Sequence, residues 1–439
     1  MSTQVNGDRA GDTAPLSWWR SLLGILIVGG VGLVVVGGVA AIFMSGSGYV
    51  PGYSMRTVWE APHDRNAAEH GNGDWLVGDT LVRSRFDAVT AFDVRSGKKR
   101  WEYVVPGRAD ICAVSAAADD SVALIARGEP GAAESGEVEK GKGCATVAAL
   151  DLTNGRELWH TSRASTSGDI TAKTDLVATG GGLGVLLDSG VRAFDLRTGT
   201  PRWKAAVPKG CVPGGVAAAA MQVLAVVACD TELKLAAFDP ADGKERWTVP
   251  LDARRGVAAA DVAFLSADPA VVRVAESAES GVHAFLAFGP DGRPWGRIDF
   301  VGGYGKIKVD KPAEVSVANG RLFAVAEYKG TQGDWDRLVA FDLATGGELW
   351  REDISGAWSS VIALHAEGGR VSALSVSSKY EDNLYVFDAA TGDEEDDRAF
   401  RDDVGAYEGD LTDLLTYKDL VIAVRWGEGV RPFSVYERW

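Results

Sequence analysis

Four cysteines, Cys112, Cys144, Cys211 and Cys229, are the residues of this chain best suited to do chemistry. An even number suits two disulfides, which would place the chain in an oxidising compartment. The same four thiolates could instead hold zinc, but no Cys-x2-Cys pair exists to start such a site. Four cysteines allow three pairings, and their number alone does not choose among them. The five histidines are His63, His70, His160, His283 and His365, and none forms a His-Glu-x-x-His or an i, i+4 pair. His63 and His70, seven apart in a loop, are a weak metal pattern. The acidic run Asp393-Glu394-Glu395-Asp396-Asp397, with Asp402 and Asp403, has the charge for Ca²⁺. It lacks the glycine-punctuated spacing of a calcium loop and reads as a solvated acidic loop. No Gly-x-Ser-x-Gly elbow occurs. Gly180-Gly181-Gly182-Leu183-Gly184 has no following helix, so it is a turn between strands rather than a phosphate cradle. The sequence therefore nominates no catalytic, cofactor-binding or metal-binding residue.

The elements that must hold these residues come from a motif that recurs. Ala91-Phe92-Asp93 is followed by Gly97 and Trp101. The same order returns at Asp151, Gly155 and Trp159, at Asp195, Gly199 and Trp203, at Asp239, Gly243 and Trp247, and at Asp342, Gly346 and Trp350. In these copies Gly follows Asp by four and Trp follows Asp by eight. Two copies are degenerate. Ala287-Phe288-Gly289 to Trp295 lacks the Asp and is two residues shorter, while Val386-Phe387-Asp388 keeps Gly392 but has Glu395 and Asp396 where Trp would stand. The apolar run before Asp suits a strand. Asp can bond the amides of a tight turn, and Gly can supply its positive φ. Each copy thus predicts a β-hairpin carrying an indole on its second strand, placed to pack between units rather than to bind substrate.

Successive motifs lie 58, 44, 44, 50, 53 and 46 residues apart, counting Gly289 in the place of Asp. Strand-only periods of this length predict a propeller with one four-stranded blade per period. The pattern Ala-Phe-Asp-x-x-Thr-Gly-x-x-x-Trp resembles the PQQ-like repeat of the quinoprotein-type β-propellers, over nearly all of the chain after Arg56. The resemblance implies an all-β fold. Seven motif copies plus a composite terminal unit predict an eight-bladed β-propeller of four-stranded antiparallel blades, with seven blades the alternative. Arg56 to Ala61 resembles the tail of a repeat without its hairpin. Near the other end, Asp410–Lys418, Asp419–Arg425 and Pro432–Arg438 predict three strands, with Phe433-Ser434-Val435-Tyr436-Glu437 standing where Ala-Phe-Asp would be. Thr57–Ala61 is expected to supply the fourth strand and close the ring. The quinone is not implied. Quinoprotein dehydrogenases of this family use adjacent cysteines beside the cofactor, no Cys-Cys dipeptide exists here, and their acidic and Asn set has no positional match.

Residues 1–17 read as a disordered cytoplasmic tail, and 18–44 as a transmembrane helix. Its uncharged stretch from Leu22 to Met44 is long enough to span ~30 Å of hydrocarbon. A cleaved signal peptide is the alternative, although its apolar region would be shorter. Trp18, Trp19 and Arg20 suit the interface and an N-terminus inside. Residues 45–55 read as a flexible linker, and 56–439 as the propeller domain outside the membrane. A net charge of −16 excludes a nucleic-acid partner that needs a basic face. The insertion from Gly128 to Gly143 reads as a solvated excursion.

Placed on these blades, Cys211 precedes one innermost strand and Cys229 ends the next, while Cys112 and Cys144 begin the first and third strands of another blade. The expected disulfides are Cys112–Cys144 and Cys211–Cys229. With a full repeat set, an apolar anchor and no convergent reactive residues, the chain is expected to be a non-enzymatic, membrane-anchored propeller that binds a protein or ligand at the bacterial cell envelope, with no cofactor. Related propellers act as envelope assembly scaffolds or sensor ectodomains. The alternatives are a quinone-dependent oxidoreductase with a divergent site and a cell-wall polysaccharide module using Tyr304, Trp358 or Trp426.

Overall fold

Each hairpin signal in the sequence closes a pair of antiparallel strands, and four such strands make the usual unit. The computed structural model describes residues 37–38 and 54–438 apart from 66–67, 69, 108, 130–132, 135–136, 139–142, 165–174, 208–209, 230–231, 252–260, 277–280, 331–332, 355–357 and 405–410. From 54 to 438 the described residues contain strands and turns and no α-helix. The first sheet is Gly73–Val77, Thr80–Ser84, Ala88–Asp93 and Lys99–Val104. The second joins Asp110–Val114, Val122–Glu129, Gly143–Asp151 and Arg156–Ser162. The third runs from Val177–Gly180 to Pro201–Ala206, the fourth from Cys211–Ala218 to Glu245–Pro250, and the fifth from Val262–Ala267 to Pro294–Asp299, each of four strands in chain order.

The sixth sheet has Val315–Ala318, Arg321–Gly330, Gly333–Asp342 and Glu348–Asp353, extended by the short strands Val301–Gly302 and Gly305–Ile307. The seventh has eight strands. Its leading half is Ser359–Glu367, Arg370–Ser377, Asn383–Asp388 and Glu394–Phe400. Its terminal half is Leu411–Tyr417, Leu420–Arg425, Phe433–Arg438 and the N-terminal strand Ser54–Glu60. Ser54–Glu60 pairs antiparallel with Phe433–Arg438, placing Thr57 opposite Tyr436 and Trp59 opposite Val435. On its other side Ser54 and Met55 pair in parallel with Ala399 and Phe400, which fuses the halves.

Second strands are buried on both faces, as in Leu81–Ser84 and Leu420–Arg425, where Arg83, Ser84 and Arg425 are buried along with the apolar residues, because neighbouring sheets cover both sides. Outer strands such as Lys99–Val104 face solvent. The core is a series of clusters between consecutive sheets. Val82 and Ala91 meet Ile125 and Ala148 between the first and second, and Leu224 and Ala237 meet Val272 and Ala284 between the fourth and fifth. Leu420, Ile422 and Phe433 of the terminal half pack on Leu81 and Val94 of the first sheet. Each such large side chain contributes about 1.5–3 kcal/mol by its burial. Successive packing with return to the first sheet is the arrangement of a β-propeller.

Two expectations change here. Ser54 and Met55, placed in the linker, are strand residues, since the edge left by Glu394–Phe400 gives their backbone a partner. The acidic run is not a loop, for Glu394–Phe400 is an outer strand. The cytoplasmic tail, the predicted transmembrane segment apart from residues 37–38, and most of the linker lie outside the described residues. No helix among the described residues is long and apolar enough to cross a membrane.

Candidate functional site

The repeated residues form joints between hairpins. In the first hairpin the Asp93 carboxylate accepts the Ser96 amide at 2.8 Å, and Gly97 N–H donates to the Asp93 carbonyl at 2.9 Å. Asp151 accepts from Thr153, Asp195 from Thr198, Asp239 from Ala241 and Asp342 from Thr345. Gly97, Gly155, Gly199, Gly243 and Gly346 have φ between +66° and +73°. The indole of each unit then docks on the hairpin of the next one. Trp159 Nε1–H donates to the Leu196 carbonyl at 2.8 Å, Trp203 to Pro240 at 2.8 Å, Trp247 to Pro290 at 3.0 Å and Trp350 to Ala389 at 3.2 Å. Trp59 does the same to Val94 at 2.8 Å and so links the terminal half of the seventh sheet to the first. Trp101 lies over Gly155, with its Nε1 unpaired. The glycine thus answers two demands, since a Cβ at Gly243 would also stand 2.5 Å from the Trp203 ring.

Two joints depart from this rule. Trp295, from the shortened copy, is 41% exposed, and the backbone of Gly296 and Arg297 packs directly on Gly346 instead. In the leading half of the seventh sheet Asp396 occupies the Trp position opposite Val386. Asp396 pairs with Arg398 at 2.8 Å and with Arg438 at 2.9 Å, while Glu395 pairs with Arg370 at 2.6 Å. Arginines from three strands thus pair with Glu395 and Asp396 of the acidic run.

The cysteines are joined as Cys112–Cys144 and Cys211–Cys229. Cys211 lies directly opposite Cys229 in the strand register. Cys112 and Cys144 sit on the first and third strands of the second sheet, each where the pairing shifts, and the bulges bring the strands together.

First strands of successive sheets contact one another around the middle. There a cavity of about 510 Å³ is lined by Asp74, Trp75, His365, Glu367, Asp413 and Thr416. Loss of solvent pushes the Asp74 carboxyl up to about 7, aided by the nearby Asp413 carboxylate and opposed by Arg83 and the Trp426 indole. Asp413 is also raised by burial, against the pull of His365. Asp175, beside Phe264 in a second recess, rises to about 6 because it is buried. His365 Nε2 stands 3.4 Å from Glu367, whose carboxylate accepts from the Thr416 hydroxyl at 2.9 Å. The sequence offered no sign of this group, because Asp74 and Asp413 come from opposite ends of the chain. Among the described residues no group of three or more His, Cys, Asp or Glu is placed to hold a metal ion. Of the other residues singled out, His70 meets Asp110 at 3.4 Å and His160 meets Glu157 at 2.7 Å, each as a simple pair. Tyr304 packs edge-on against Phe341. Trp358 and Tyr380 are exposed, at 57% and 60%, with the Lys379 ammonium over both rings.

These joints define a class: an all-β repeat protein of the propeller type, in which an indole from one unit caps the hairpin of the next. Its particular family follows from comparison. The model of the PQQ-like family described as outer membrane protein assembly factor BamB matches residues 48–212, 89–333 and 305–395, and the chain belongs to that family. No curated protein matches the sequence. Among solved structures, BamB from Moraxella catarrhalis is 17% identical, with 86% of this chain and 99% of that chain covered and a TM-score of 0.47. The quinohemoprotein alcohol dehydrogenase ADHIIG from Pseudomonas putida is 12% identical, with 87% and 76% covered and a TM-score of 0.50, a likeness of fold. Sqt1 from Saccharomyces cerevisiae is 10% identical, with 89% and 99% covered and a TM-score of 0.48.

Proposed function

We propose that this protein is a non-enzymatic binding scaffold of the bacterial cell envelope, an eight-bladed propeller held outside the membrane by the apolar segment at 18–44. Membership of the family described as an outer membrane assembly factor carries this reading. The eight-blade count takes the fused seventh sheet as two blades, divided at the parallel pairing of Ser54 and Met55. The chemistry of the residues supports binding over turnover. The repeated Asp, Gly and Trp are consumed in the joints. Photo-crosslinking in intact membranes, followed by purification, should recover one envelope protein in near-stoichiometric yield. Robust dye-linked dehydrogenase turnover with added quinone and Ca²⁺ would replace this reading with the oxidoreductase one. Protease added outside intact cells should digest the domain, and full protection would place it on the other side of the membrane. The exposed Trp358 and Tyr380 favour a second reading, as a platform for cell-wall polysaccharide. It requires that Trp358→Ala weaken binding to purified wall fragments.

A further inference from the structure

Strand registers locate a hole in the repeat. In the joint leaving the sixth sheet, Trp350 lies opposite Ala340, and Ala340 lies opposite Phe323. The indole fills the space between these residues and Val371 and Ala389 of the following sheet. The equivalent row one unit later is Asp396, Val386 and Ser372. The second-strand member of this row is apolar in the other units, namely Val82, Leu124, Val185, Leu224, Val271 and Phe323. Here it is Ser372. Two positions of the row, Asp396 and Ser372, have therefore lost the apolar bulk found elsewhere, while Val386 replaces the usual Ala. No following hairpin exists to receive an indole, because Phe433–Arg438 is succeeded in the sheet by Ser54–Glu60. The bond from indole to carbonyl is replaced by the ion pair from Asp396 to Arg438.

A cavity of about 550 Å³ opens here, lined by Ser372, Leu384 and Val386 on one side and Leu420, Val421 and Arg438 on the other, and it meets the central cavity at Leu76, Gly78, His365, Glu367 and Thr416. Its size falls within the range of about 300–1,000 Å³ typical of ligand sites. At the joint between the fifth and sixth sheets, which also lacks a docked indole, Gly296 and Gly346 bring the backbones into contact.

We infer that the cavity between the halves of the seventh sheet receives an aromatic side chain from a partner polypeptide. The argument for that occupant is the repeat itself: at the equivalent joints the chain places its own indole between the same rows. The walls supply apolar side chains for the ring, and the cavity opens beside Arg370, Lys418 and Arg438 at its rim. This inference rests on the scaffold reading and gives it a contact point.

The probe is N-acetyl-5-fluorotryptophanamide, followed by ¹⁹F NMR with the whole chain in detergent. Saturable broadening of the fluorine line is expected with the native protein. It should weaken at least tenfold in Asp396→Trp, which restores the missing indole, and in Ser372→Phe, which restores the opposite bulk. Two variants guard against a failure of one to fold. No broadening with the native protein, or undiminished broadening in both folded variants, overturns the inference. So does crosslinking of the envelope partner at native yield by Asp396→Trp, an outcome that leaves the scaffold reading intact. Absence of any crosslinked partner would remove the scaffold reading, and with it the polypeptide occupant, whatever the probe does.

Discussion

Trp203 stands for the residue scale, because its ring packs near Phe238, its N–H reaches the Pro240 carbonyl and its face lies on Gly243. Trp203→Ala should cost about 3–5 kcal/mol, the usual range for a large aromatic removed from a core, with calorimetry as the check. Gly243→Ala should also destabilise, since φ is +71° and the new methyl would meet the indole. An unchanged melting temperature in either variant would refute the joint as described. Asp74 makes a prediction of opposite sign to an ordinary paired carboxylate. Its folded pKa, about 7, lies above the 3.8 of an ordinary Asp carboxyl, so between those values the folded state holds the extra proton. Stability from this group therefore grows as pH falls from about 7 toward 4 and diminishes as pH rises. Asp74→Asn should flatten that part of the Tm–pH profile and raise Tm at pH 8. Asp93 works the other way. Arg100 and Ser96 hold its carboxyl down at about 2, so its contribution is lost only in strong acid. Asp and Gly of the turns were legible in the sequence because their partners lie within four residues. Asp74 was not, because its neighbour Asp413 is set beside it only by closure.

At the scale of elements, the N-terminal strand carries the clearest consequence. Ser54–Glu60 supplies hydrogen bonds to two strands and the Trp59 indole to the first hairpin. Deleting 54–60 should abolish cooperative unfolding, with circular dichroism and near-ultraviolet melting as readouts, and a native-like melt would contradict the closure. Closure was legible because Phe433-Ser434-Val435-Tyr436-Glu437 keeps the phase of the repeat even though its hairpin is missing. The first two strand residues were not, because Ser54 and Met55 follow a Pro-Gly stretch that reads as tether, and their partner strand lies far along the chain. The acidic run was misplaced for a related reason. A charge cluster resembles a loop unless the arginines facing it are known, and Arg370 and Arg438 come from other strands. The disulfides act on the same scale. Removing Cys112–Cys144, which spans 32 residues, as a double serine variant should cost about 2–4 kcal/mol, measured by denaturant titration.

For the whole molecule, the joints convert a local motif into a closed body. Each indole binds one sheet to the next, and the two departures are handled differently: backbone contact at Gly296 and Gly346, and strand fusion with an ion pair at Asp396. The domain should therefore unfold as one unit rather than sheet by sheet, since each cluster is shared between neighbours. Calorimetry should give equal van't Hoff and total enthalpies. A lower van't Hoff value would show that part of the domain melts apart from the rest.

The position of Ser54–Glu60 inside an eight-stranded sheet bears on mechanics. A pull arriving through residue 54 runs along the strand and loads its lateral bonds in shear, all at once, instead of peeling them singly from an edge. Such a pull would meet the stiffest direction of the sheet, and grip at that seam would decide the force at which the ring opens.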